Sequence, residues 1–371
     1  MFESIPGQEQ AKAYFAQALA SGLSHAYLLA GQEGLGKAEF ALELGTGVVA
    51  SCAGCGHCDE CERARRGLHP DLTVVEREGE LIRIEQVEKL VAELSLKPFV
   101  ASRRVWILLE AEKLGREAAN KLLKSLEEPP AHVYFLLVSD QPERVLPTIV
   151  SRCQVVEFRP VGDAVVAAYL GERFGLGGAE AEALARLARG SVERAARLAD
   201  DARGAQRRAR YTRLAAGVAL RDCEAERAFT DEVATDEKAA VDAVAGGLAA
   251  RKDELERTVA DPQERAWHVK RAEERAKRDK ARLTRLAALD AVDHLVSWLR
   301  DLLVLGAGGE GAVWNRDRLD ELERGRVAAP EVYARMLEIV GATRKDLLLN
   351  VDRKLALQAM FARFEEVWES A

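Results

Sequence analysis

The stretch that most restricts the fold is HAYLLAGQEGLGKAEFALELGTGVV, residues 25–49. A short apolar run enters a glycine-rich loop, and a helical pattern follows at once. Gly31, Gly36 and Lys37 fit G-x-x-x-x-G-K-[ST], and Gly34 preserves the backbone path between them. Such a loop holds phosphate because backbone N–H groups and a helix N-terminus point at the anion, while the lysine adds positive charge. The next position is Ala38, where a hydroxyl is needed to ligate Mg²⁺.

Further apolar runs surround this unit. DLTVVE (71–76), RVWILLE (104–110) and VYFLLVS (133–139) read as buried strands. Between the last two, AEKLGREAANKLLKSLEEPP has helical period and is stopped by Pro129-Pro130. Strands alternating with helices predict an α/β domain with a parallel sheet covered on both faces. Near residue 160 strand-like runs disappear and Ala, Arg, Leu and Glu take over. A small helical module is expected over 161–204, followed by longer helices over 205–371. Leu286, Leu289, Val292, Leu295, Val296, Leu299, Leu302 and Leu303 form an amphipathic stripe there, and GAGGEG (306–311) interrupts the helices as a turn.

A phosphate loop that hydrolyses nucleotide also needs an acidic residue closing a buried strand. VWILLE (105–110) offers Glu110, but the Asp-Glu or Asp-Asp pair of related ATPases is Leu109-Glu110 here. Two Mg²⁺ contacts are missing together, which argues against hydrolysis. Backbone amides and Lys37 could still hold ATP or ADP without turning it over, and the sequence leaves that open.

SCAGCGHCDEC spaces Cys52, Cys55, Cys58 and Cys61 as C-x2-C-x2-C-x2-C. Four thiolates suit a closed tetrahedral structural zinc, with Gly54 and Gly56 allowing the loop that lets them converge. An iron–sulfur cluster is the rival, though its usual pattern has a longer last gap followed by proline. His57 or His69 could replace one cysteine.

The chain has 371 residues and a formal net charge of −7, which speaks against a protein-wide nucleic-acid surface. Residues 264–285 are an exception, with nine Lys/Arg against four Asp/Glu. A solvated helix face with i,i+4 ion pairs is the favoured reading of that run, and Trp267 alone makes no stacking platform. No window approaches the ~18 uncharged apolar residues of a membrane span, and the opening MFESIPGQEQ lacks the features of a signal peptide. A soluble, cytoplasmic protein is expected.

Several segments together resemble a known family. SIPGQEQAKAYFAQALASGLSHAYLLAGQEGLGK (4–37), AANKLLKSLEEPP (118–130), LPTIVSRCQVVEF (146–158), GSVERAARL (190–198) and NVDRKLALQAM (350–360) are similar to bacterial clamp-loader subunits of the AAA+ class, specifically the delta-prime subunits of DNA polymerase III. The likeness is dense over 1–200 and thin beyond. It implies an AAA+ P-loop domain with a zinc module (1–160), an all-α lid (161–204) and an all-α collar (205–371). It implies a stator in a pentameric loader, working with gamma/tau ATPase subunits, a delta subunit, the sliding clamp and primed DNA. Arg152, in Ser151-Arg152-Cys153, then becomes a finger reaching a neighbour's ATP site, where a guanidinium offsets charge developing on the γ-phosphate. Ser139 falls at the sensor-1 strand end and Arg194 in the sensor-2 region. The chain departs from the family in the short gap between its first two cysteines. It departs from the motor subunits in Ala38 and Leu109. No polymerase chemistry of its own is expected, only membership of a DNA-directed DNA polymerase assembly. The alternatives are an active gamma/tau-like ATPase using Glu110, and a zinc-dependent DNA-binding protein.

Overall fold

Four of the five strands are nearly continuous apolar or β-branched runs, the signature of parallel strands buried on both faces. They are β1 (Ala26–Ala30), β2 (Leu72–Val75), β3 (Arg104–Leu108) and β4 (Val133–Ser139), joined by β5 (Gln154–Glu157). The computed structural model describes every residue except 3–4, 53, 78–80, 200, 349–350 and 371, and the side chains of all the rest except 201–205 and 264. Asn350, which opens the last of the resembling segments, lies outside the described residues. The chain forms two compact units, residues 1–173 with 188–196 and residues 174–187 with 197–371.

In the first unit all strand pairs are parallel, in the order β2-β3-β4-β1-β5. β5 escaped the sequence reading because it is an edge strand: Val155 is exposed and only Val156 leans on the core, so no buried run marks it. Helices α1 (Glu9–Ser21), α2 (Lys37–Val49) and α3 (Asp59–Arg65) belong to one layer, where Phe15, Phe40, Leu44 and Ala64 pack on Tyr27, Leu29, Val105 and Ile107. Helices α4 (Ile84–Leu94), α5 (Arg116–Glu127) and α6 (Pro147–Val150) cover the opposite face through Val87, Leu90, Leu122 and Ile149 on Leu28, Trp106 and Phe135. Each such large side chain contributes about 1.5–3 kcal/mol by leaving water.

The expected long helix before Pro129 is broken into a single 3₁₀ turn, Ala111–Lys113, and α5. The break lies at Leu114 and Gly115, whose ψ values of 118° and 149° are extended rather than helical. α7 (Asp163–Phe174) and α9 (Val192–Ala199) fall largely with this unit.

The second unit is helical: α8 (Gly178–Ala188), α10 (Asp201–Ala219), α11 (Cys223–Thr258), α12 (Pro262–Gly306), α13 (Leu319–Gly325), α14 (Pro330–Leu348) and α15 (Arg353–Glu369). The leucine stripe is its spine: Leu289, Val292, Leu295, Leu299 and Leu302 of α12 pack with Tyr211, Phe229, Tyr333, Met336 and Phe364. Asp222 and Asp352 cap α11 and α15 by accepting backbone N–H bonds from Glu224 and Leu355. The GAGGEG turn follows the end of α12 as expected.

Candidate functional site

The carboxyl ends of β1 and β4 lie side by side, with Ala30 paired to Ser139, so the loops leaving them share one cleft mouth. In open parallel sheets this is where ligands are bound, because helix N-termini and loop amides converge there. The β1 loop carries the glycines. Gly31 has φ 154°, and a Cβ there would stand 2.5 Å from the Phe158 carbonyl oxygen. Gly34 has φ 81°, and its Cβ would meet Ser191 Oγ at 2.3 Å. The loop therefore tolerates no side chain at either position. Ser191 fixes it from above: its hydroxyl donates to Gly34 O at 2.8 Å and accepts from Arg194 N, at the start of α9. Gly36 (φ 79°) precedes α2, so the helix N-terminus does point into the loop.

The lysine, however, is already engaged. Lys37 is 3% exposed; its Nζ donates to Gln32 O at 2.5 Å and pairs with Asp140 Oδ1 at 2.7 Å. Asp140 directly follows β4, and the sequence reading missed it. The signal was there: an acid just past the strand adjacent to β1 must face the same mouth. Ala38 stands in the first turn of α2 without an oxygen, and Leu109 leans on the apolar core beside β3.

Glu110 is held away from the loop's task, since its Oε2 accepts from Arg77 Nε at 2.7 Å. The acid that does reach the strand ends is Glu112, also missed, whose Oε2 accepts from Ser139 Oγ at 2.7 Å. Burial, partly offset by the Ser139 hydrogen bond, raises the Glu112 carboxyl above its ordinary value. Ser139 itself is fully buried and also accepts from Gln141 N at 3.2 Å. Chemically the cleft retains a phosphate cradle, lacks both metal-ligating oxygens at the expected positions, and supplies its own counter-anion to the lysine.

The cysteines converge. Cys52 and Cys55 lie in turns, Cys58 caps α3 and Cys61 lies within it, with Gly54 and Gly56 at φ 79° and 87° bending the intervening chain. All four sulfurs lie within 4.8 Å of one another, with Cys52 Sγ 3.4 Å from Cys58 Sγ and 3.3 Å from Cys61 Sγ. One tetrahedral zinc with ~2.3 Å bonds separates its sulfurs by roughly 3.8 Å, so the donor set fits a single ion. Neither His57 nor His69 joins the group: His57 Nδ1 bonds Cys55 O, and His69 Nδ1 accepts from Asp71 N. The backbone N–H of Cys55, and then Cys61, lower the Cys52 thiol to about 6, while burial pushes Cys61 up to about 12. Around them Glu60 accepts from Ser51 N and Ser51 Oγ, tying the module's entry to α3.

Arg152 lies just past α6, well away in sequence from both. Its guanidinium bonds Glu127, the last residue of α5, through Nε at 2.7 Å and through a second nitrogen. It also donates to Thr148 O at 2.8 Å. Both partners are substantially exposed, so the pair contributes at most about 1 kcal/mol and releases easily. Arg194 is on α9, one turn from the phosphate loop's Ser191 anchor.

Residues 7–162 match the family model described as DNA polymerase III, delta subunit. The chain is 37% identical over 142 residues to the DNA polymerase III subunit delta' of Bacillus subtilis, covering 38% of this chain and 43% of that protein. It is 39% identical over 136 residues to the delta' subunit of Pseudomonas aeruginosa, covering 35% and 42%. The tau subunit of Escherichia coli is 32% identical over 159 residues, covering 41% and 24%. The chain thus spans less than half the length of these relatives, and over that span it is similar to delta-prime subunits.

Proposed function

We propose that this chain, similar over part of its length to delta-prime subunits, is a stator of a clamp loader: a subunit that supports ATP-dependent placement of a sliding clamp on primed DNA without firing its own site. Three parts belong to this reading, an AAA+ domain (1–160), a lid (161–204) and a collar (205–371). Gamma/tau and delta subunits, the clamp and primed DNA are its partners, and the cytoplasm is its place of work. Among the described residues no helix is long and apolar enough to cross a membrane.

The observation that carries the reading is the Lys37–Asp140 pair beside Ala38 and Leu109. A triphosphate entering this cradle must first displace a carboxylate from the lysine, and its magnesium then finds no protein oxygen at either expected position. Zinc, held by Cys52, Cys55, Cys58 and Cys61, is structural in this reading because four thiolates leave no open coordination position. The loop after α4 supports a role in protein docking. Leu96, Phe99 and Val100 are 51%, 70% and 71% exposed. The buried Asp71 carboxylate nevertheless fixes the loop's backbone from 99 to 101, accepting N–H bonds from Phe99, Val100 and Ala101 at 2.7, 2.8 and 2.9 Å.

Arg152 is the residue that acts outside its own chain, donated to the adjacent ATPase after leaving Glu127. The test is phosphate release by a loader reconstituted with gamma/tau and delta subunits. Arg152→Ala is expected to leave assembly intact and to slow the site it serves by up to ~10³-fold. Unchanged turnover removes the finger role. Turnover by the isolated chain that vanishes in Lys37→Ala would instead make it a motor.

A further inference from the structure

Nine residues, ERARRGLHP, separate Cys61 of the metal module from Asp71, which directly precedes β2. α3 takes up the first part of that stretch and is only seven residues long. Helices so short do not hold by themselves in water. α3 buries Cys61 and Ala64, and its N-cap is Cys58, so the module supplies two of the points that hold it. Its far end closes on Gly67 (φ 69°), with Leu68 N donating to Arg63 O at 2.8 Å. That turn delivers His69 into the interior, 5% exposed.

His69 stands between the module and Asp71. Its Nδ1 accepts from Asp71 N at 3.1 Å, so the ring proton is on Nε2. That nitrogen is buried, has no hydrogen bond among the described residues, and faces Glu60 Oε1 at 3.7 Å. Glu60 lies between Cys58 and Cys61 and accepts from Ser51. On the other side, the Asp71 carboxylate is wholly buried and receives the N–H groups of Phe99, Val100 and Ala101. The buried Arg104 backs it, with Nε 3.7 Å from Oδ1, and sets its guanidinium 5.1 Å from the Phe99 ring centre. Leu96, Phe99 and Val100 keep half or more of their surface in water, so apolar burial does little to hold this loop. Its shape rests on hydrogen bonds to a buried charge, which are strong while water is kept out.

We propose that the cysteine module is a metal-dependent latch on the apolar loop. With the ion bound, α3 is held and His69 stays wedged against Asp71, which keeps residues 99–101 in one shape. With the ion gone, α3 frays and His69 leaves Asp71 N. Water then reaches the carboxylate, and the three N–H bonds open more often. The sheet holds Asp71 from the far side, since its carbonyl accepts from Val105 N at 2.8 Å, so the opening is confined to α3 and the loop. Bound metal thus decides what the loop offers a partner: a rigid apolar knuckle, or a mobile segment that must be ordered at a cost in affinity. This inference rests on the zinc reading of the four cysteines and not on the place of the chain in a loader.

The test is amide hydrogen exchange on the full chain, first zinc-loaded, then stripped with a chelator, then reloaded, with metal content measured at each stage. Stripping is expected to speed exchange at Phe99, Val100 and Ala101 by about tenfold or more, and reloading to reverse it. Amides of β1 and β4 should stay protected on the same timescale. His69→Leu should still bind one zinc per chain yet exchange fast at 99–101 with the metal in place. Asp71→Asn should exchange fast there with or without zinc. Zinc bound, but no change at the loop on stripping, overturns the latch alone, as does a full metal response in His69→Leu. Exchange of β1 and β4 at the loop's rate also overturns it, because the ion then holds the whole unit. A chain that takes up no zinc overturns the latch together with the reading of the cysteines, and the metal measurement tells these failures apart.

Discussion

The cysteine module and the phosphate loop are both ligand motifs written in a dozen residues, and folding treats them oppositely. In the module the chain bends at Gly54 and Gly56 so that four sulfurs face one point, with Glu60 bracing the rim. In the loop the glycines keep the cradle's shape, but the lysine turns onto Asp140 and Gln32 within the same chain. A motif's spelling therefore records geometry more faithfully than it records activity. Where all ligands lie inside the motif, spelling suffices. Where partners come from distant strands, the outcome rests on residues such as Leu109, Asp140 and Glu112.

The largest effect should come from the module. Cys58→Ser, or a strong chelator, is expected to remove one zinc per chain and to destabilise the first unit by on the order of 3–5 kcal/mol in urea unfolding. Zinc should also be lost as pH falls, because the thiolates reprotonate. A colourless metal-loaded sample sharpens the contrast with the loop, whereas visible absorption with bound iron would replace zinc by a cluster. Unchanged stability without metal would erase the contrast, leaving the module as decoration.

A smaller effect is expected in the loop. Asp140→Ala frees Lys37 and should tighten ADP binding about tenfold, or ~1.4 kcal/mol, measured by titration calorimetry. Turnover should stay absent, since Ala38 and Leu109 remain. Should affinity not change, the carboxylate does not compete with nucleotide and the two regions differ less than their geometry suggests.

The smallest effect concerns Glu112. Burial raises its folded pKa above the ordinary 4.5, so the folded chain holds a proton that the unfolded chain has released. With more protons bound when folded, stability falls as pH rises through that window. Glu112→Gln keeps an oxygen for Ser139 and removes the titration. Its stability relative to the natural chain should therefore grow from acid to mildly alkaline buffer, and parallel pH curves would show that Glu112 ionises in the cleft without penalty.

Much of the fold was legible because buried parallel strands and amphipathic helices each impose a period. AYLLA, RVWIL and VYFLLVS could only be interior strands, and the leucine stripe after residue 286 could only be a helix with a buried face. β5 was not legible, because an edge strand half in water needs no apolar run. The break at Leu114 and Gly115 was nearly hidden as well: only the lone glycine in AEKLGREAANKLL marks it.

The amino-acid order alone determined most of the elements, the glycine cradle, the clustering of thiols and the missing magnesium ligands, since each depends on neighbours a few residues apart. Tertiary structure decided where charges found partners: Lys37 with Asp140 across some hundred residues, Glu110 with Arg77, Arg152 with Glu127. Electrostatic pairing acts over a few ångströms of space whatever the separation in sequence, so only the folded chain could settle which charges meet.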